Sequence, residues 1–274
     1  MFISSGGNLE NFYWAIARNN LSNIDENKDT QHYHNLFEIY YLCEGTCTYF
    51  IDNKTYIIEK GDLVLIPEGT IHKTQYPGNI PYSRMLINCS NYYIPPSIYN
   101  DISKLLYVYR NDDILPKIEN ILNDIDKDYS SCDKYCEDSL QSLVHSLFIL
   151  IARNPNQKTN EAVKNEYIEK ATTYIQNNFK NKIMLDDIAR VCAITPEHMS
   201  RMFKKETGFG FSEYLTLVRL QHSEYLIKNK KLSVTEIAHR CGFEDSNYFS
   251  FIFKKKYGMS PREMKIKSHT TTIF

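Results

Sequence analysis

IARVCAITPEHMSRMFKKETG (188–208) and IAHRCGFEDSNYFSFIFKKKYG (237–258) are two copies of one pattern, about fifty residues apart. Each begins Ile-Ala, places a cysteine three residues on, and ends in a Phe-Lys-Lys run closed by glycine. In the first copy Leu185, Ile188, Ala189 and Cys192 are spaced for one buried helical face. Asp186 and Asp187 fall in the first turn, where carboxylates suit the helix dipole. Ala193 and Ile194 make a short turn, Thr195 is placed to cap the next helix, and Pro196 fits its first position. Met199, Met202 and Phe203 then face inward, which leaves Glu197, Ser200, Arg201 and Lys204 outward. The second copy starts with a capping box at Ser233 and Glu236 and packs Ile237, Ala238 and Cys241. It turns at Gly242-Phe243 and caps its second helix with Asp245 or Ser246. Phe249, Ile252 and Phe253 face inward there, and Ser246, Asn247, Ser250 and Phe251 face outward.

A short turn between two helices, the second presenting polar residues, is helix-turn-helix logic. The spacing predicts two such units, at about 185–206 and 234–256, in an all-helical domain over 165–274. Residues 211–229 form the helix between them, with Tyr214, Leu217, Val218, Leu220, Tyr225 and Leu226 packed. The partner this implies is double-stranded DNA, read by residues at the start of each second helix. Glu197, Ser200, Arg201, Ser246, Asn247, Ser250 and Phe251 are the candidate base contacts. Arg201 leads that group because its guanidinium has the fork geometry that guanine accepts. Lys204, Lys205, Lys254, Lys255 and Lys256 are the candidate phosphate contacts.

Charge agrees with this division. The 274 residues carry 32 Lys+Arg and 33 Asp+Glu, but residues 166–274 hold 18 of the former and 12 of the latter. The remaining 14 and 21 give an acidic front half and a basic back half.

The front half changes character twice. FEIYYLCEG (37–45), TCTYFID (46–52), KTYIIEKGD (54–62) and LVLIPEG (63–69) are short and rich in β-branched and aromatic residues, with Gly, Asn, Asp and Pro between them. They predict an antiparallel β-barrel domain over 1–98. From about 112, Ile114, Ile118, Ile121, Leu122 and Ile125 recur at helical spacing, followed by Leu140, Leu143, Val144, Leu147, Phe148 and Ile151. These two helices define a packing or dimerisation segment over 99–152. RNPNQKTNEAVK (153–164) is polar and lacks aliphatic periodicity, so it reads as a linker. The fold class is thus α+β multidomain: a β-barrel with a helical extension, then the all-α domain.

The seven cysteines form no CxxC pair and read as free thiols. No apolar run is long enough to span a membrane, and MFISSGGNLENFYW does not have the layout of a signal peptide. The expected location is the cytoplasm.

Over about 166–266 the chain resembles the DNA-binding domain of the AraC/XylS family of transcription regulators. The likeness rests on Ile237, Ala238, Gly242, Phe243, Asp245, Tyr248, Phe249, Phe253, Lys254, Gly258, Ser260 and Pro261. It departs at Phe251, where the family commonly has an arginine facing DNA, and at Ala193, where a glycine-like turn residue is common. Phenylalanine makes no bidentate contact to guanine but does touch a thymine methyl. In the front half, His32-x-His34, Glu38 and Gly45, then Gly61, Pro67-x-Gly69 and His72, are similar to the two cupin motifs. The resemblance implies a sensor barrel in which His32, His34, Glu38 and His72 line an effector pocket or, alternatively, hold a divalent metal. Tyr33, Tyr40, Tyr41, Tyr49 and Tyr56 are candidate lining residues. It further implies a homodimer and contact with RNA polymerase. The expected function is a sequence-specific, effector-controlled activator of transcription with no required cofactor. It is not expected to be an enzyme, although cupin motifs also occur in metal-dependent dioxygenases and isomerases.

Overall fold

A computed structural model describes residues 2–3, 12–19, 36–78, 80–102, 107–131, 133–154, 156 and 162–270. The chain divides into two compact units, Met1–Val163 and Lys164–Phe274.

The first unit holds two antiparallel sheets. One contains β1 (Phe2–Ile3), β2 (Phe12–Asn19), β3 (Phe37–Glu44), β6 (Leu63–Ile66), β8 (Tyr82–Cys89) and β9 (Val108–Tyr109), in the order β1-β2-β8-β3-β6-β9. The other contains β4 (Thr46–Ile51), β5 (Lys54–Glu59) and β7 (His72–Gln75), in the order β5-β4-β7. The expected barrel is therefore a pair of sheets rather than one closed cylinder. The strands expected over 37–69 are β3 to β6, while β1, β2 and β9 lie in stretches that carried no strand signal. The β4–β5 hairpin turns through Asp52 (φ 44°) and Asn53 (φ 71°). Short polar side chains tolerate this left-handed conformation, and a two-residue hairpin demands it. Gly45 (φ +88°) makes the β3–β4 turn, and a Cβ there would stand 2.5 Å from the Pro81 carbonyl oxygen.

Alternate residues of β3 serve two cores. Phe37, Ile39 and Tyr41 join Leu63, Leu65 and Ile87 on the face covered by helices. Tyr40 and Leu42 face the other sheet and pack with Cys47, Tyr49, Ile51, Val64 and Ile66. The covering helices are α2 (Leu115–Ser130) and α3 (Cys136–Arg153), with the short α1 (Pro96–Ile102) packed against α3. The apolar stripe of α2 (Ile118, Leu122, Ile125) and that of α3 (Leu140, Val144, Leu147, Phe148, Ile151) are consumed by this packing. Phe148 meets Phe37 edge-on at 5.3 Å.

One expectation needs correction, and one segment makes contacts that its composition did not signal. The stretch read as a linker touches the sheets near both of its ends. Asn156 accepts from the Arg110 amide (2.9 Å) and donates to the Val108 carbonyl (2.9 Å), Asn154 O accepts from Tyr109 (2.6 Å), and Val163 bridges Thr55 of β5. Its polar amides satisfy strand-edge backbone groups, a role that composition alone does not separate from solvation. The cysteines are also not uniformly free: Cys136 is disulfide-bonded, whereas Cys43, Cys47, Cys89, Cys192 and Cys241 are thiols.

The second unit is helical throughout: α4 (Glu166–Asn178), α5 (Leu185–Val191), α6 (Pro196–Thr207), α7 (Phe211–Asn229), α8 (Val234–Arg240), α9 (Ser246–Tyr257) and α10 (Pro261–Thr270). The repeat is visible in detail. Thr195 and Asp245 cap α6 and α9 through their side chains, and Gly208 (φ 77°) and Gly258 (φ 72°) end those helices in the left-handed region. α7 packs against α4, α6, α8 and α10 and so joins the two halves. Arg219 on α7 donates to the carbonyls of Phe179 (2.8 Å) and Asn181 (2.9 Å) and lies over the Phe243 ring.

Candidate functional site

The reading helices follow from the caps. Thr195 Oγ1 accepts from the His198 amide at 3.2 Å, and Pro196 sits where its missing N–H leaves no gap in the ladder. Met199 and Phe203 are then buried, which turns Glu197, Ser200, Arg201, Lys204 and Lys205 to the exposed face of α6. His198, not singled out from the sequence, is exposed beside them. Lys204 has one loose ionic neighbour, Glu213, at 3.9 Å. Arg201 and Lys205 are exposed, as a groove-facing helix requires.

In α9, Asp245 is the cap rather than Ser246, accepting from the Asn247 amide at 2.7 Å. Phe249 and Phe253 are buried, Asn247, Lys254 and Lys255 are exposed, and Ser246 and Ser250 are partly covered. Ser250 donates its hydroxyl to the Ser246 carbonyl (2.8 Å), so it keeps only acceptor capacity toward a base. Phe251 is 67% exposed and Tyr248 55% exposed, both unusual for large aromatic rings. Tyr248 was read from the sequence only as a match to the family pattern. Its place one residue before the buried Phe249 puts it on the helix flank.

Lys256 differs from its neighbours. It follows Phe249 by seven residues, two helical turns, and so returns to the packed side. It is half-buried, and desolvation holds its pKa down to about 8 despite the opposing pull of Glu213. The lysine run therefore presents two cations outward and folds one in.

In the first unit, Glu38 on β3 and His72 on β7 come together as the cupin spacing implied, with Glu38 Oε2 3.6 Å from His72 Nε2. Both are buried. Tyr49 donates a short hydrogen bond to Glu38 Oε1 and lies near the His72 ring, while His72 Nδ1 contacts the Thr70 carbonyl at 2.8 Å. His32, His34 and Tyr33 lie outside the described residues. Glu38 and His72 are thus the two members of the expected four-residue set that lie among the described residues, and no group of three His, Cys, Asp or Glu gathers among those residues.

Around this pair the inter-sheet core mixes aliphatic side chains with buried tyrosines. Tyr40 Oη is 3.1 Å from Tyr76 Oη and 3.4 Å from Cys47 Sγ. Burial first, then the Tyr76 and Cys47 groups, raise the Tyr40 pKa; burial and then Glu38 raise that of Tyr49. The Cys47 thiol is pushed up to about 12 by burial, which makes it unreactive. Of the tyrosines read as lining, Tyr40 and Tyr49 do face this space, and Tyr56 packs in the same cluster. Tyr41 faces the helices, donating to Glu119 at 2.6 Å. Arg84 and Asn88 of β8 share the inter-sheet face and were not found by motif.

A duplicated, capped helix-turn-helix unit with an exposed polar face, in a chain that also holds a two-sheet unit with buried polar groups, defines a DNA-binding regulator with a sensing domain. Comparison with known proteins agrees. Residues 188–266 match the helix-turn-helix domain family and residues 22–144 match the AraC-like ligand-binding domain family. The chain is 24% identical to the HTH-type transcriptional activator RhaS of Klebsiella pneumoniae (strain 342), over 86% of this chain and 87% of that one. It is 22% identical to RhaS of Escherichia coli (strain SE11), with the same coverage. Among solved structures, the C-terminal domain of AraT from Geobacillus stearothermophilus is 33% identical, covering 38% of this chain and 86% of that one at a TM-score of 0.37. The chain belongs to the AraC family of DNA-binding transcription regulators, with an N-terminal ligand-binding domain. No helix among the described residues is long and apolar enough to cross a membrane.

Proposed function

We propose that this regulator activates transcription under the control of a small-molecule effector bound between the sheets of its N-terminal unit. The observation that carries the DNA half is the pair of side-chain-capped helices, α6 and α9, with outward faces that are polar, cationic and free of packing duties. On this reading Arg201 supplies the hydrogen-bonded base contact, with Glu197 and Ser200 beside it. Asn247, Ser246, Ser250 and the exposed Phe251 form the second reader. Lys204, Lys205, Lys254 and Lys255 hold phosphates, and Lys256 serves the core instead.

Activation is the role printed in the relatives' names, and it implies contact with RNA polymerase in the cytoplasm. A homodimer remains part of the proposal; the packing of the α2 and α3 apolar stripes within the unit favours a dimer surface elsewhere. Ile149 on α3 and Tyr135 before it are the exposed apolar groups left there. Residues 1–98 with 99–152 form the sensing part and 165–274 the reading part.

Genome-wide mapping of bound sites followed by footprinting tests the reading. A defined protected sequence that loses its preference in Arg201→Ala is expected. Uniform protection without sequence preference would leave only an architectural role.

A further inference from the structure

β8 carries an unusual interior. In its pairing with β3, Arg84 stands opposite Leu42, Leu86 opposite Tyr40 and Asn88 opposite Glu38. Alternate residues of a strand share a face. Tyr40 and Leu42 pack against Cys47, Tyr49 and Ile51 of the other sheet, so Arg84 and Asn88 are on the side that looks between the sheets.

Neither polar group is satisfied there. Arg84 Nε and Asn88 Oδ1 are buried and have no hydrogen-bond partner. No ion pair joins Arg84 to an acid among the described residues. Its guanidinium carbon instead lies 5.8 Å from the centroid of Tyr40 and 5.9 Å from that of Tyr76. Two aromatic faces ease the burial of a cation but do not use its N–H donors. Glu38 attracts the Arg84 cation but forms no ion pair with it, being bonded by Tyr49 and facing His72. A guanidinium whose buried Nε has no acceptor, and a buried amide oxygen lacking a donor, are each unfavourable in the free protein. Such pairs persist where a ligand completes them.

The two deficits are complementary in kind and separated in space. Arg84 calls for an anionic oxygen pair, which a guanidinium holds bidentately. Asn88 calls for an O–H or N–H; if its amide is turned, it calls for an oxygen instead. Four residues along a strand is ~13 Å, so a single inorganic ion does not reach both. An organic molecule of the length of a sugar acid or sugar phosphate, with an acid at one end and a hydroxyl or amino group toward the other, does when the two side chains lean toward it.

We propose that the effector is a small organic anion, held by Arg84 at its acidic group and by Asn88 at a hydroxyl or amino group. The proposal rests on the reading of the N-terminal unit as the effector-binding part and adds the ligand's class and its two anchors.

The test uses the whole chain and follows its thermal unfolding at fixed ionic strength. The probes are hydroxycarboxylates (gluconate, glucuronate), phosphoesters (glucose 6-phosphate, fructose 6-phosphate), neutral counterparts (glycerol, glucose) and sodium sulfate. At least one organic anion is expected to raise the unfolding temperature dose-dependently. Arg84→Met should bind it at least tenfold more weakly, Arg84→Lys should keep part of the response, and Asn88→Leu should weaken it independently. Which of the first two probe groups acts tells carboxylate from phosphoester. Without any probe, Arg84→Met should unfold no lower than the parent, because the cation removed made no ion pair and methionine keeps the contact with the Tyr40 and Tyr76 rings. The proposal is overturned if Arg84→Met or Arg84→Lys unfolds markedly lower on its own, which would make Arg84 structural. It is equally overturned if no organic anion acts, or if anions act on Arg84→Met as on the parent. A response to glucose or glycerol that Tyr49→Phe abolishes and Arg84→Met keeps would remove the anion while leaving the effector reading in place. DNA binding indifferent to every probe that binds would count against the effector reading instead.

Discussion

Lys256→Met is expected to stabilise the DNA-binding unit while leaving its grip on DNA phosphates intact. The lysine sits two turns after Phe249 on the packed side of α9, and its pKa is about 8 in place of 10.5. Each pH unit of such a difference is about 1.4 kcal/mol, so full desolvation would put roughly 3 kcal/mol against the charged form. Partial exposure reduces this to roughly 1–2 kcal/mol. The sign is fixed by linkage. Below about 8 both folded and unfolded lysines are charged, and the folded protein carries the whole penalty. Between about 8 and 10.5 the folded lysine sheds its proton first and the parent regains stability. The advantage of Lys256→Met should therefore be full at pH 7 and fade across that window. Urea unfolding of the whole chain, following helix content by circular dichroism at pH 7 and pH 10.5, measures it. Lys255→Met is the companion: no change in stability, and a salt-dependence slope for DNA binding smaller by about 0.9. A loss of stability in Lys256→Met at pH 7, or a fall in its salt slope equal to that of Lys255→Met, would refute the assignment.

Other outcomes follow from single residues. Arg201→Ala should weaken binding to the preferred site by ~1–3 kcal/mol and relax specificity there, read by competition between cognate and scrambled duplexes. Ala193→Gly should raise stability by roughly 1 kcal/mol, since Ala193 holds φ 54° without a glycine's freedom. Gly242→Ala, at the matching turn, should lower it by several kcal/mol. Its φ is +83° and the added Cβ would stand 2.5 Å from the Phe179 carbonyl oxygen and 2.9 Å from that of Lys180. Thermal melts of both turn variants decide the pair. Thr195→Ala should cost about 1 kcal/mol through loss of the α6 cap, measured in the same way.

The helical half was legible because caps, turns and apolar spacing agree with one another twice over. What escaped there is Lys256, since a run of three lysines looks uniformly solvated until the helix period is laid over it. In the sheets, Glu38 and His72 were legible as a spaced motif. Arg84 and Asn88 were not, because YSRMLINC alternates in the reverse sense to its environment. Its apolar residues Ile87 and Cys89 lie under the helices, while its polar face is the interior one. Alternation tells that a strand has two faces, not which of them meets solvent. The sheet contacts of Asn154 and Asn156 were not legible for a related reason: asparagines that bond strand-edge backbone have the same composition as asparagines in water.

α7 has a consequence for how such regulators diversify. It carries both reading units on one 19-residue helix, clasped at its middle by Arg219. Lengthening a helix by one residue advances it by about 1.5 Å and turns it by about 100°. The distance between the two readers is thus not a quantity that small steps adjust: a one-residue change swings one reader away from the groove. Drift among descendants of this sequence is channelled into the outward side chains of α6 and α9. Their operators would come to differ in bases while the interval between the recognised segments stays the same.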